Sequence, residues 1–388
     1  MRTVNDALVD AVDRLADALE ALSHRIHDHP ELGYQEVRAA GWLTEFLAAQ
    51  GFRVERGVAG VETAFRATLE TGAGPTVAIL CEYDALPGLG HACGHNVIAA
   101  AGVGAGAALA AVRERLPRGR VLVLGTPAEE GGGGKVRLIE GGVFRDVDAA
   151  LMVHGWDRWV LHQDLLGVAR VRLEFSGRAA HAAACPWEGV NALDAVIQTF
   201  TAVALLRQQV RPTARIHGIV TDGGAAPNII PEFAAATFYV RAPRLDELWE
   251  LERRLLACAE GAARATGATL AARRQDAVYE PFRRNDTLLG LFRENLRRFG
   301  CPESPPDTEH LGSSDIGNVS QVVPTIQPLV KIAPEGTPIH SRAFAEAARG
   351  PLARQGLLVA AKALAMTAFD LLADPGLVAK ARAEHEAR

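Results

Sequence analysis

Residues 76–96 read TVAILCEYDALPGLGHACGHN. TVAILCEYD is an apolar run of strand length, and the glycines after it mark a bend before a helix that begins near His95. A second apolar strand, RVLVLGTPAEE at 120–130, a helix over about 134–141 and a third strand, AALMVHG at 149–155, repeat the alternation. Apolar strands separated by helices predict an α/β domain with a mainly parallel sheet covered on both faces. In such sheets a ligand site lies beyond the carboxyl ends of the strands. HACGH, the Glu129–Glu130 pair and His154 all fall at those ends.

Outward from this core, a helix is expected at about 35–50, followed by short strands near 52–56 and 62–69. Leu8, Val12, Leu15, Leu19, Leu22 and Ile26 recur every three or four residues among acidic ones, which predicts one amphipathic helix rather than a signal peptide. The uncharged run from Asn96 to Val112 is shorter than a membrane span needs, so a buried helix is expected there. After about residue 167 the style changes. VARVRLEFSG alternates like a strand, NALDAVIQTFTAVALLRQQ reads as a helix, and ARIHGIVTDGG and EFAAATFYVRA read as strands. LDELWELERRLLACAEGAARATG is a second helix and TLAARRQDAVYE a last strand. That β-α-β-β-α-β order is the ferredoxin-like arrangement. From about 281 the first style resumes, with NDTLLGLFRENLRRFG as a helix and VVPTIQPLVKI as a strand. The expected domains are therefore 1–167 and 281–388, forming one catalytic domain, with 168–280 inserted as a lid or dimerisation domain.

At 388 residues the chain exceeds the usual size of a single core, in keeping with two domains. Hydrophobic residues make up 48% and charged residues 22%, an ordinary globular balance. A net charge of -5 argues against nucleic acid or an anionic membrane as partner. Five scattered cysteines give no secreted disulfide framework, and a cytoplasmic location is expected.

Cys93 and His95, one residue apart on a bend, suit a metal; a catalytic thiol beside a base and a packed turn are the alternatives. TPAEEGGGGK resembles a phosphate loop only superficially. Glu129 stands where that loop needs glycine, and Val136 where it needs a hydroxyl. Two adjacent carboxylates at a strand end can instead divide the work, Glu130 as ligand and Glu129 as general base to a water that the metal activates. A solvated acidic turn is the bland alternative. His154 in MVHGW and His340 in TPIHSRAF could reach the same rim. His24, His27 and His29 read as a polar helix end. Trp156, Trp159 and Trp187 read as packing residues near the site motifs.

With these residues in place, the chain resembles the dinuclear-metal aminoacylase and carboxypeptidase family, in its amidohydrolase branch. The resemblance runs through HRIHDHPELGYQE at 24–36, GHACGHN at 90–96, GTPAEEGGGGK at 125–135 and His154–Gly155. It continues through GRAAHAAACPWEGVNAL at 177–193, APNIIPE at 226–232 and HSRAF at 340–344. It implies that Cys93, His95, Glu130, His154 and His340 hold two divalent ions, zinc or manganese with cobalt also compatible, and that Glu129 is the base. It further implies that His181 stabilises the oxyanion, often across a dimer, and that Asn228 and Arg241 bind the substrate's carboxylate. The chain departs from the branch in having Asn96 and Ile98 where many members have Asp and His; Asn96 is expected to orient His95 by hydrogen bonding. The Asn variant, together with AEEGGGGK, points toward members acting on dipeptides or aminobenzoyl-glutamate.

The implied activity is metal-dependent hydrolysis of the amide between an acyl or aminoacyl group and an amino acid, by a homodimer. A catalytically silent amino-acid- or peptide-binding protein of the same fold is the alternative, and the intact Glu129–Glu130 pair argues against it. A thiol hydrolase using Cys93 is a third reading, and it would survive chelation.

Overall fold

The computed structural model describes residues 3–387, which divide into two compact units. Unit 1 comprises Met1–Asp164 with Phe282–Arg388, and unit 2 comprises Leu165–Pro281.

Unit 1 opens with α1 (Val4–Arg14) and α2 (Ala16–His27), two segments meeting at Leu15 where the sequence predicts one helix. Thr3 and Asp6 form a capping box that starts α1. His27 Nε2 donates to Ala345 O at 2.8 Å and His24 Nε2 to Arg349 O at 3.2 Å, so these histidines tie α2 to the C-terminal part of the unit. Then follow α3 (Val37–Ala49), β1 (Arg53–Arg56), β2 (Phe65–Glu70), β3 (Thr76–Cys81) and α4 (His95–Ala111). β4 (Arg120–Gly125), α5 (Gly134–Glu140), β5 (Ala149–Leu151) and β6 (His154–Trp156) complete the first part.

In unit 2, β7 (Gly167–Ser176), α6 (Ala192–Leu206), β8 (Arg215–Asp222), β9 (Phe233–Ala242), α7 (Leu245–Thr266) and β10 (Thr269–Arg274) follow in that order. The chain then returns to unit 1 for α8 (Asp286–Arg297), α9 (Ile316–Val322), β11 (Thr325–Ile326) and β12 (Leu329–Lys331). It ends with α10 (Arg342–Ala347), α11 (Pro351–Ala373) and α12 (Pro375–Ala387).

The main sheet of unit 1 has the order β1-β2-β4-β3-β5-β11. β4, β3, β5 and β11 are parallel, while β2 and β1 join antiparallel at one edge. Two expected strands are each divided. AALMVHG supplies β5 to the main sheet and β6 to a separate pair with β12, and VVPTIQPLVKI is interrupted at Gln327–Pro328. A proline cannot donate to a ladder, which accounts for the second break.

α4 lies in the middle of the unit, and every residue from His95 to Leu109 is buried. Its glycines allow the close fit: a Cβ on Gly102 would stand 2.4 Å from Cys81 Sγ, and one on Gly106 would stand 2.6 Å from Val123 Cγ2. α11 is long and apolar enough to cross a membrane, yet 67% of its most apolar window is buried inside the unit, where it packs on α4 and α8. No sequence pattern singled out this helix.

Unit 2 is a four-stranded antiparallel sheet in the order β10-β7-β9-β8, the ferredoxin-like topology that the sequence predicts. Val171, Leu173 and Phe175 of β7 and Phe238 of β9 meet Leu248 and Leu255 of α7 in its core. Burying each such side chain contributes about 1.5–3 kcal/mol.

Candidate metal centre

β3 ends at Cys81, and the chain leaves the sheet through Glu82 and Asp84, both fully buried. After the bend, Gly94 caps α4 in the left-handed region at φ 77, and Cys93 and His95 stand on either side of it. A Cβ on Gly94 would meet Ile332 Cδ1 at 2.5 Å, so both conformation and space demand glycine.

His95 Nδ1–H donates to Asp84, 2.9 Å from its carbonyl and 3.0 Å from Oδ1, which leaves Nε2 with its lone pair facing inward. His154, at the start of β6, donates Nδ1–H to Gly155 O at 2.9 Å and turns Nε2 toward Cys93 Sγ at 3.3 Å. Both imidazoles thus turn Nε2 toward the same space, although at His95 burial is outweighed by the charges of Cys93 and Asp84, which hold it above the usual histidine range, so a metal there would displace a proton.

The loop after β4 brings Glu129 and Glu130. Ala128 takes a positive φ of 59, an uncommon conformation for a residue with a Cβ, and neighbours hold it there. Its N–H donates to Glu36 Oε1 at 2.8 Å, the Glu130 N–H donates to Asp84 Oδ2 at 2.9 Å, and the Tyr34 hydroxyl donates to Gly132 O at 2.6 Å. The HPELGYQE segment therefore braces the loop that carries the two carboxylates.

His340, with φ 61, is fixed by its N–H to Ala92 O at 2.9 Å, and its Nε2 lies 3.7 Å from Glu130 Oε1. The potential ligand atoms of Cys93, His95 and His154 lie within 4.8 Å of one another, as do those of Cys93, Glu130 and His340 and those of His95, Glu129 and Glu130. These overlapping triads bring together all six residues that the sequence reading assigns to metal and base.

The residues present fit a metal. His95 Nε2, Glu130 Oε1 and Glu82 Oε2 are buried without a hydrogen-bond partner and face one another, with His95 Nε2 4.0 Å from Glu130 Oε1 and 3.5 Å from Glu82 Oε2. Buried polar atoms without partners are costly, and a shared cation would satisfy all three. Burial, and then the charges of Glu82 and Glu130, push the Glu129 carboxyl well above the usual carboxylate range. Burial pushes His154 down to about 4, which keeps its imidazole neutral. Burial and the charge of Glu130 push the Cys93 thiol up.

Sequence reasoning missed Glu82, Asp84, Lys135 and Asp315. Lys135 Nζ donates to Glu82 Oε1 at 2.5 Å and Asp315 Oδ1 at 2.6 Å, and all three side chains are fully buried. The acidic residues ending TVAILCEYD were the available signal; Lys135 and Asp315, 180 positions apart, carried none. Asn96 requires a correction. Its Nδ2 donates to Ser23 Oγ at 2.9 Å and to Ala348 O at 3.0 Å, so Asp84 rather than Asn96 orients His95.

In unit 2, His181 and Asn228 come together, with His181 bridging Ile229 and the Ala182 N–H donating to Asn228 O at 3.0 Å. His181 Nδ1 accepts from the N–H groups of Ala183 (3.3 Å) and Ala184 (3.1 Å), which places its proton on Nε2. Arg241 stands near the other end of the ten-residue β9, which spans roughly 30 Å, with Nε 3.4 Å from His217 Nε2. Trp159 is buried in the unit 1 core, but Trp187 is 77% exposed in unit 2, against the packing role expected for it.

Thiol, imidazole and carboxylate side chains gathered beside a second carboxylate suit the centre of a metal-dependent hydrolase. Residues 78–345 match the family described as Peptidase family M20/M25/M40, and the chain belongs to that family. It is 42% identical to the Xaa-Arg dipeptidase of Mus musculus over 98% of this chain and 91% of that protein. It is 30% identical to a p-aminobenzoyl-glutamate hydrolase subunit of Escherichia coli over 99% and 94% of the two chains. A dinuclear metal binding peptidase of the M20 family from Bacillus subtilis shares the fold, with a TM-score of 0.73 at 22% identity over 93% of this chain and 99% of that one. The protein is accordingly a metal-dependent hydrolase of amide bonds between an acyl or aminoacyl group and an amino acid.

Proposed function

We propose that the chain is a dipeptidase that releases a basic C-terminal amino acid, with N-acyl amino acids as a second substrate class. The observation that carries this reading is the 42% identity to an Xaa-Arg dipeptidase over nearly the whole of both chains. Cys93, His95, Glu130, His154 and His340 are the ligands, and the Cys93 thiolate favours zinc over manganese or cobalt. Two ions, when bound, supply the Lewis acidity that polarises the scissile carbonyl and acidifies the attacking water.

Glu129 takes the proton of that water and delivers it to the leaving amine. His181 donates Nε2–H to the oxyanion, a role supported by the Ala183 and Ala184 N–H groups that fix its tautomer. Asn228 and Arg241 bind the substrate's carboxylate. Arg241 lies near the C-terminal end of β9 whereas Asn228 precedes the start of that strand, and a homodimer in which one copy lends His181 and Asn228 and the other Arg241 is the arrangement we favour. The edge strand β8 supports it, with Ile219 66% and Val220 47% exposed, as do the exposed Ile197 and Leu205 of α6. The cytoplasm is the proposed location.

The test is a hydrolysis panel of Xaa-Arg, Xaa-Lys and Xaa-Ala dipeptides, an N-benzoyl amino acid and aminobenzoyl-glutamate. Each is assayed with native protein, after chelation and after re-addition of zinc or manganese. Xaa-Arg and Xaa-Lys should give the highest kcat/KM, and activity should vanish on chelation and return with metal. Preference for an uncharged C-terminal residue refutes the substrate, and activity surviving complete chelation refutes the metal mechanism.

A further inference from the structure

Glu82 stands beside the centre without belonging to the ligand set that the sequence suggests. Its side chain is fully buried, and its two oxygens differ sharply in surroundings. Oε1 accepts from Lys135 Nζ at 2.5 Å, and Lys135 is itself held by Asp315 through both Nζ (2.6 Å) and its backbone N–H (2.9 Å). Oε2 has no hydrogen-bond partner and points at His95 Nε2, which has none either. Their separation is 3.5 Å, too long for a hydrogen bond between them.

That distance matches something else. Two ligands each about 2.1 Å from one ion stand about 3.0–3.4 Å apart at octahedral or tetrahedral angles. The charge inventory agrees. Glu82, Asp84, Glu129 and Asp315 are buried and Glu130 lies beside them; Lys135 pairs with Glu82 and Asp315 and His95 with Asp84, and further cationic charge would offset the cost of burying so many carboxylates together.

We propose that Glu82 is a further metal ligand, binding through Oε2 the same ion as His95, and that Lys135 and Asp315 hold Oε1 so that this carboxylate binds through one oxygen only. The inference rests on the metal centre described above. Lys135 and Asp315 are positioning residues in this arrangement, since they act through Glu82.

The test is zinc binding. Wild-type and Glu82→Gln proteins are stripped of metal, shown by thermal unfolding to be equally folded, and titrated with Zn2+ against a chromophoric chelator. Glu82→Gln keeps an oxygen for Lys135 but replaces the anionic ligand. One of the two ions should bind more than about 100-fold more weakly, beyond the 10–100-fold that loss of an outer hydrogen-bonding partner costs, while the other is unchanged. A smaller loss at both ions overturns the proposal. Should the variant not fold, anomalous diffraction from zinc-loaded wild-type crystals decides. Glu82 Oε2 within about 2.0–2.2 Å of an ion supports the assignment, and a distance beyond about 3 Å overturns it. Wild-type protein that binds no zinc would instead refute the metal centre itself, a result distinguishable from the failure of Glu82 alone.

Discussion

Replacing Glu36 by Gln probes the brace behind the loop that carries Glu129 and Glu130. Glu36 is fully buried, its Oε1 accepts the Ala128 N–H, and its Oε2 has no partner. Burial, with the charge of Asp84 adding to it, raises its carboxyl from 4.5 to about 7. A raised carboxyl pKa means that the folded protein retains a proton that the unfolded chain releases. The stability associated with neutral Glu36 is therefore fully present below about pH 4.5 and is lost as pH rises through about 7. At about 1.36 kcal/mol per pH unit, the loss approaches roughly 3 kcal/mol by pH 8. Gln carries no charge at any pH and can accept the same N–H, so Glu36→Gln escapes this loss. Urea unfolding of metal-free wild-type and variant protein between pH 5 and 8 should show the variant gaining about 2–3 kcal/mol relative to wild type, and levelling off above pH 7. A stability difference that stays constant with pH, or moves the other way, would refute the account of Glu36 as a buried neutral carboxyl.

Glu129→Gln should fold and bind metal like wild type while kcat falls by about 10² or more; near-normal turnover in fully metallated variant would remove Glu129 as base. His181→Ala should lower kcat by roughly 10²–10³ with metal content unchanged, and undiminished activity would take His181 out of the mechanism. Mixing inactive His181→Ala with inactive Glu129→Gln protein should restore activity in hybrids if the donor crosses a dimer. Absence of recovery despite demonstrated subunit exchange would place the donor within its own chain.

Local pattern was enough for much of this protein. Alternating residues in VARVRLEFSG and apolar runs such as RVLVLG report strand type because side chains on a pleat alternate between faces, and a strand buried on both faces admits few polar groups. Element order then defined the parallel sheet and its ferredoxin-like insert. Cys93 and His95 were legible as a pair because a single bend holds both. Tertiary structure decided the rest, because hydrogen-bond partners and charge neighbours depend on segments far apart in the chain. Asn96 sits next to a metal-type histidine in sequence, yet its amide is spent on Ser23 and on Ala348, the latter 252 residues away. The resemblance gives Asn228 and Arg241 one ligand, but sequence alone could not show that Arg241 lies near the C-terminal end of β9 while Asn228 precedes that strand. Glu82, Lys135 and Asp315 carry no common motif; only folding brings an ammonium between two carboxylates and leaves one oxygen of Glu82 aimed at His95.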